Sequence, residues 1–412
     1  MRSNSEFSRI WLGNASSNLA DGVTFIALPL LAVTLTQDPL AIAGVSVAFT
    51  VPRIIAVLGT GVLVDRGDRR RLLYVSNYSR AAIFALLMLL IALDLLSLPV
   101  LYLTVAIVGV METLSDSSAF AVLPQAVPAQ GLDTANSRIA GTQIVVDEFV
   151  GPPLGGFLFG IAALAPVAMN ALAFLMAGAS YQSLKGDYRS QEDAEVPRPS
   201  FYADVREGAM WIRRNPIVRT LVAISAIASV AYMIPFSYLV LYARDVLGLD
   251  ATGYGLLLSF SALGGLLGAW VASKLRSRLG YYWSIVGALV TGAASFIVIF
   301  FVDDLVVVAV ALAVYIGHSV VWNVLASSMR QKATPHRIMG RVGAVTRLLS
   351  LSGLALGALV GGWLASSFEL RFPFLVSGLL FVVAALICVV VAPTFRAWER
   401  GQPSKEEAVG TV

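Results

Sequence analysis

The chain has 412 residues, 58% hydrophobic and 13% charged, with a net charge of +4 and a mean hydropathy of +0.80. Soluble domains carry about 25% charged residues, so this composition excludes a single water-soluble globule and points to the bilayer as the solvent. One cysteine, Cys388, excludes an intrachain disulfide, and two histidines, His318 and His336, offer almost no material for a zinc site.

Taken in chain order, residues 1–9, "MRSNSEFSR", are polar and lead into an apolar run with no small-residue cleavage site. They therefore read as the approach to a first membrane helix rather than as a leader. A crossing needs about 20 apolar residues. Twelve such spans are expected, near 10–35, 40–63, 73–95, 98–122, 138–163, 165–184, 217–243, 253–275, 282–302, 304–327, 341–366 and 371–393. The fifth and sixth are parted only by "ALAPV", where Pro166 favours a tight turn.

Basic residues orient the spans. With the two tails and the even-to-odd loops on the cytoplasmic side, 24 of the 29 lysines and arginines fall there. The opposite loops hold Arg244 and Arg371, and Arg53, Arg80 and Arg347 fall within spans. The expectation is a multi-pass protein of a bacterial inner membrane with both termini cytoplasmic.

The long polar segment 185–216 opens as a flexible linker, "KGDYRSQEDAEVPRPS". It then turns into "FYADVREGAMWIRRN", where Phe201, Val205, Ala209 and Ile212 recur at helical spacing. That pattern predicts an amphipathic helix on the cytoplasmic interface. The chain so divides into six spans (1–184), a linker with its helix (185–216), six spans (217–393) and a tail (394–412). Its halves echo each other at an offset near 206: Gly155-Gly156 matches Gly361-Gly362, and Val127-Pro128 matches Thr334-Pro335. Glycines at Gly151/Gly155, Gly156/Gly160 and Gly353/Gly357/Gly361 form small-xxx-small ladders that allow close helix contact.

These residues resemble a known family. Gly61, Asp65-Arg66 and Arg69-Arg70 stand in the loop between spans two and three like the Gly-x-x-x-Asp-Arg-x-Gly-Arg-Arg signature of the major facilitator superfamily, with Asp68 in place of the second glycine. "GPPLGG", Gly151 to Gly156, resembles the span-five signature of that superfamily's antiporters, although Asp147 stands where a small residue is usual. "WLGNASSNLADG", "VLPQAVPAQGLDTANS" and "REGAMWIRRNP" resemble the drug:proton antiporter-3 branch, which includes macrolide-efflux and enterobactin-exporter proteins. The resemblance implies an all-α membrane fold of twelve helices in two pseudo-symmetric six-helix bundles. It also implies a cytoplasmic latch of Gly61, Asp65, Arg66 and Arg69 with Asp116 in span four and Arg341 at the start of span eleven. Gly151, Pro152, Gly155 and Gly156 would form the antiporter helix motif.

Ionisable groups at membrane depth are costly unless paired or wet. Asp21 lies 12 residues into span one, roughly 18 Å deep at ~1.5 Å per residue. Arg53, Glu112, Asp147 and Glu148 join it as candidates for proton coupling, all in the first half, with Asp21–Arg53 as the alternative of a static pair. Adjacent Asp147 and Glu148 point about 100° apart on a helix, so at most one of them faces a central cavity squarely. The second half offers only His318 and Arg347. Asn18, Tyr232, Phe236, His318 and Asn323 are candidate cavity residues.

No P-loop stretch and no nucleophile–base or metal constellation stands out, so neither an enzyme nor an ATP-driven pump is expected. The resemblance implies a secondary exporter, driven by the proton gradient without a cofactor, moving a bulky hydrophobic or amphipathic small molecule as in multidrug efflux. The alternatives are a dedicated exporter of a siderophore or other metabolite, and a receptor that no longer transports. The expected partners are the solute and the bilayer, with no nucleic acid and no second subunit.

Overall fold

The computed structural model describes residues 2–189 and 201–400. Among them no β-strand occurs; the elements are helices. In hydrocarbon every backbone polar group needs an internal partner, which an apolar run of this length finds only as a helix.

The first helices are α1 (Arg2–Leu35), α2 (Pro39–Arg66), α3 (Arg69–Ala92) and α4 (Leu98–Ala126). Next, α5 (Leu132–Gln143) runs through a π-helical stretch, Ile144–Val150, into α6 (Gly151–Ile161), and α7 (Leu164–Gln182) follows. Outside the apolar spans lies α8 (Phe201–Arg214). Then come α9 (Pro216–Phe236), α10 (Leu239–Asp245), α11 (Ala251–Phe301), α12 (Leu305–Ala333), α13 (Met339–Ser367), α14 (Phe372–Val390) and α15 (Ala392–Arg400).

Eleven helical stretches are long and apolar enough to cross a membrane. One of them, α11, has 51 residues, about 76 Å at ~1.5 Å per residue, far more than a core of roughly 30 Å. Gly280 divides it, at φ 75° and ψ −179°, a backbone region open to glycine. The Glu399 carboxylate accepts from the freed N–H groups of Tyr281 and of Tyr282, the latter at 3.2 Å. With that break, α11 supplies spans eight and nine and the crossings number twelve. Span five is the α5–α6 pair, and span seven is α9–α10, interrupted just after Pro235.

Helix ends overrun the apolar windows because hydrogen bonding does not stop at the hydrocarbon edge. The α12 helix continues to Ala333, six residues past the apolar run. Polar caps fix several starts: Asp38 caps α2, Asp68 caps α3, and Asp304 accepts from Val306 and Val307 N–H at 3.0 Å each. The "ALAPV" turn is present, with Ala162 extended and Pro166 in the first turn of α7.

The repeat carries into local structure. Spans four and ten end at Ala126 and Ala333, on the extended residues Val127 and Thr334. A single 3-10 turn follows each, Ala129–Gly131 and His336–Ile338, before spans five and eleven begin at Leu132 and Met339.

The contacts form two compact units. One comprises Met1–Arg198, Phe236–Ser259 and Ala358–Leu370; the other comprises Pro199–Pro235, Phe260–Gly357 and Arg371–Val412. The first unit thus takes in short segments of spans seven, eight and eleven along with spans one to six.

The amphipathic helix α8 does not rest on an interface alone. Its Ile212 is buried with Val218 and Val222 of α9, with Ile338, and with Val342 and Val345 of α13, and Val205, Ala209 and Trp211 pack around them. Burying that apolar face against two helices removes more of it from water than a shallow interfacial position would.

Candidate functional site

The first unit holds a charge cluster in its membrane-spanning helices. Arg80 of α3 donates to the Asp21 carboxylate of α1 through Nη2, and its Nη1 reaches Ser17 Oγ at 3.1 Å. The guanidinium lies over the Phe174 ring of α7, 3.9 Å from its centroid. The Arg80 side chain is 1% exposed and that of Asp21 21%. A second pair joins Arg53 of α2 to Glu112 of α4, Nη2 to Oε1 at 3.1 Å, with Arg53 over Phe49 at 4.7 Å.

The static pairing of Asp21 with Arg53 is therefore corrected. Gly109 brings α4 so close to α2, its Cβ position 2.8 Å from Phe49 O and 3.1 Å from Arg53 Cγ, that Arg53 meets Glu112. This leaves Asp21 to Arg80 of α3, an arginine that the sequence places inside a span with no partner in view. The charges of Glu112, Asp147 and Asp116 also act on Asp21. The Glu148 side chain lies outside the described residues.

Asp147 reaches this cluster through an unusual backbone. Pro152 and Pro153 have no N–H to give to the carbonyls of Glu148 and Phe149, and their rings crowd those carbonyls. The helix widens ahead of them, and Gly151 N–H bonds to Val146 O, five residues back. Ser259 Oγ of α11 approaches the released Phe149 carbonyl at 3.4 Å. The equivalent span eleven has no proline there and runs unbroken as α13.

The glycines of span five divide between two neighbours. A Cβ on Gly22 would lie 2.4 Å from Asp147 O, and one on Gly151 would lie 2.6 Å from Gly22 Cα, so α1 and span five touch backbone to backbone beside Asp21. Gly155 continues that face onto Val23. Gly156 and Gly160 face the other way, onto Ala251 and Thr252 at the start of α11, with Gly255 returning the contact to Pro152 O. The second half repeats the scheme. Gly353 and Gly357 meet Ala226 and Val230 of α9, and Gly362 meets Leu40 and Ala43 at the start of α2. The stretch Gly151–Gly160 is thus a two-sided seam, joining span five to span one and to the head of span eight.

Two of the expected latch residues, Arg69 and Arg341, have partners within their own unit. The side chains of Asp65 and Arg66 lie outside the described residues. Gly61 is exposed, with open space around its Cβ position. Arg69 points to the carbonyls of Val64 and Ala121, at 3.4 and 3.5 Å, and Asp116 is exposed on α4. Arg341 is held by α8: its Nε is 2.6 Å from Asp204 Oδ1 and its Nη1 is 2.8 Å from Glu207 Oε2. Asp68, which replaces the signature's glycine, has a clear local task. Its Oδ1 accepts from Arg70 and Arg71 N–H at 3.0 and 3.2 Å, capping α3.

Two of the five expected cavity residues border cavities within the second unit. Asn323 borders a polar cavity of about 510 Å³ with Ser225 of α9 and Ser327, Arg330 and Gln331 of α12. His318, five residues earlier, is buried and borders a separate apolar cavity. Tyr232 stacks on Tyr315, with centroids 6.4 Å apart and planes 10° apart. Asn18 donates back along its own helix to Asn14 O at 2.7 Å. Phe236 ends α9 in a half-buried position, and Arg347 of α13 is exposed.

Twelve apolar crossings, a repeat at the level of caps and turns, and a carboxylate–arginine cluster in the first bundle define a membrane transporter of the major facilitator type, not an enzyme. Residues 2–407 match the model of one family within that superfamily, and the chain belongs to it: the transmembrane secretion effector family. The multidrug efflux pump Tap of Mycolicibacterium fortuitum is 24% identical over 384 residues, covering 91% of this chain and 92% of that protein. The enterobactin exporter EntS of Escherichia coli is 22% identical over 410 residues, covering 98% and 95%. A bacterial homologue of the human lysosomal transporter Spinster has the same fold, with a TM-score of 0.74 at 16% identity over 98% of this chain and 99% of that one.

Proposed function

We propose that the chain is a proton-driven exporter of bulky, partly hydrophobic compounds, with Asp21 as the proton-carrying group and Arg80 as its partner. The observation that carries this reading is the Asp21–Arg80 pair with three further carboxyl groups acting on it. Four carboxyl groups and two arginines at membrane depth cannot all stay ionised cheaply, so a proton is a natural ligand of the cluster. With Asp21 ionised, its charge is matched by Arg80. Protonation weakens that bond, while Ser17 and the Phe174 ring keep the guanidinium in place. Spans one and three are then free to part, and the two protonation states favour different arrangements of the bundle around a mid-membrane site.

The similarity to Tap supports efflux of foreign hydrophobic compounds. The similarity to EntS supports a second reading, a dedicated exporter of a siderophore-like metabolite. In either case both termini face the cytoplasm of a bacterial inner membrane and one chain suffices.

Inverted vesicles with an imposed acid-inside gradient test the proposal. Ethidium, a macrolide and a catecholate siderophore serve as trial solutes. Accumulation of at least one, abolished by a protonophore, is the expected result. Accumulation that a protonophore leaves untouched rules out proton coupling.

A further inference from the structure

The second unit contains a cavity of about 700 Å³ among spans eight, nine and ten, within the roughly 300–1,000 Å³ of small organic ligand sites. Its floor is a close crossing of two helices. A Cβ on Gly264 would lie 1.7 Å from Ala313 O, and one on Gly268 would lie 2.3 Å from Gly317 O, so nothing larger than glycine fits between α11 and α12. Its walls include Leu267, Leu279, Trp283 and Val314, large apolar side chains that are exposed. On a membrane-spanning surface such side chains face acyl chains.

One end of this groove carries positive charge. Leu279 and Trp283 flank the Gly280 break, and Lys274, Arg276 and Arg278 precede it without an acid among them. Arg396 of α15 lies over the Trp283 ring at 5.6 Å, and Lys274 lies over Trp270 at 3.1 Å. The nearby acid, Glu399, is engaged with the N–H groups of Tyr281 and Tyr282. An apolar slot ending in a basic cluster, at the face with most of the chain's arginines, matches the shape and charge of an anionic lipid.

We infer that this groove binds one acyl chain of an anionic phospholipid of the cytoplasmic leaflet, with its phosphate held by Lys274, Arg278 and Arg396. The site belongs to the second unit and does not depend on the proposed coupling. A lipid seated there bridges both arms of α11 to α12 and α15.

The test uses the full chain in phosphatidylcholine vesicles doped with a phospholipid bearing a photoactivatable acyl chain, its headgroup either phosphatidylglycerol or phosphatidylcholine. Labelled peptides are mapped by mass spectrometry. The phosphatidylglycerol probe should label 260–291 and 310–321 more strongly than the phosphatidylcholine probe. Lys274→Gln and Arg396→Gln should each lower that preference roughly five-fold, the factor one basic side chain supplies near an anionic surface. Gly287 borders the groove with no atom within 4 Å of its Cβ position, so Gly287→Phe should fill the groove and remove the labelling without lowering the melting temperature. Equal labelling by the two probes, or labelling that survives Gly287→Phe, overturns the inference. Loss of the phosphatidylglycerol label to excess tetraphenylphosphonium would mark the groove as a solute site and overturn it equally.

Discussion

Arg80 of α3 and Asp21 of α1 form an ion pair in the membrane-spanning part of the first bundle, with the guanidinium lying over the Phe174 ring. An arginine so fully enclosed is costly unless its charge is matched. Removing one partner of such a pair costs about 3–5 kcal/mol, whereas removing both costs much less. Asp21→Ala and Arg80→Ala should therefore each lower the thermal unfolding midpoint in detergent clearly, and Asp21→Asn/Arg80→Gln should recover most of the loss. The double variant should still fail to accumulate solute against its gradient. Restored transport in it would make the pair purely structural.

The span-five seam yields a contrast between two glycines. A methyl group on Gly156 would lie 2.3 Å from Ala251 O, whereas one on Gly61 meets nothing. Overpacking costs about 1–3 kcal/mol, or about 5- to 160-fold in the population of the closed seam. Gly156→Ala should lower disulfide formation between Gly160→Cys and Thr252→Cys and slow transport. Gly61→Ala should leave this seam unchanged, and its readout is the same cross-link.

The proline pair after Asp147 separates stability from activity. Pro152→Ala/Pro153→Ala returns two N–H donors to the helix, each interior proline otherwise costing ~3 kcal/mol. The variant should melt no lower than the parent. Relaxing the π-helical turn rotates Asp147 away from Gly22, so transport should fall. Unchanged transport in a stable variant would show that the wide turn has no part in coupling.

Asp68 illustrates what could be read in advance and what could not. Its departure from the glycine of the signature was plain in the sequence, and its use as a cap was not, because capping depends on where α3 begins. Asp68→Ala should cost ~1 kcal/mol and Asp68→Gly only a few tenths, measured as an ordered pair of shifts in the unfolding midpoint.

Span number, basic-loop bias and the offset repeat were legible because each is a property of whole apolar segments, which the bilayer forces into helices. The division of α11 was legible only as a polar interval, and the reason for it, the positive φ of Gly280 with Glu399 over the exposed N–H groups, needs a residue 119 positions away. Pairings failed for a similar reason. Arg53 and Arg80 both fall within spans, and choosing between them for Asp21 requires knowing that Gly109 draws α4 onto α2. Arg80 could have been found by asking which partner each intramembrane arginine has, since none stays in hydrocarbon without one. The contacts of Arg341 with Asp204 and Glu207 follow from the docking of α8, which periodicity alone leaves at an interface.

The central claim is that Asp21, held by Arg80, carries the proton that drives export. The direct measurement compares wild type with Asp21→Asn/Arg80→Gln in inverted vesicles, using a solute that wild type accumulates under an acid-inside gradient. The account predicts that wild type concentrates the solute only while the gradient lasts, and that the double variant, inserted at equal amounts, merely equilibrates it. Gradient-driven accumulation by the double variant equal to that of wild type would contradict the account.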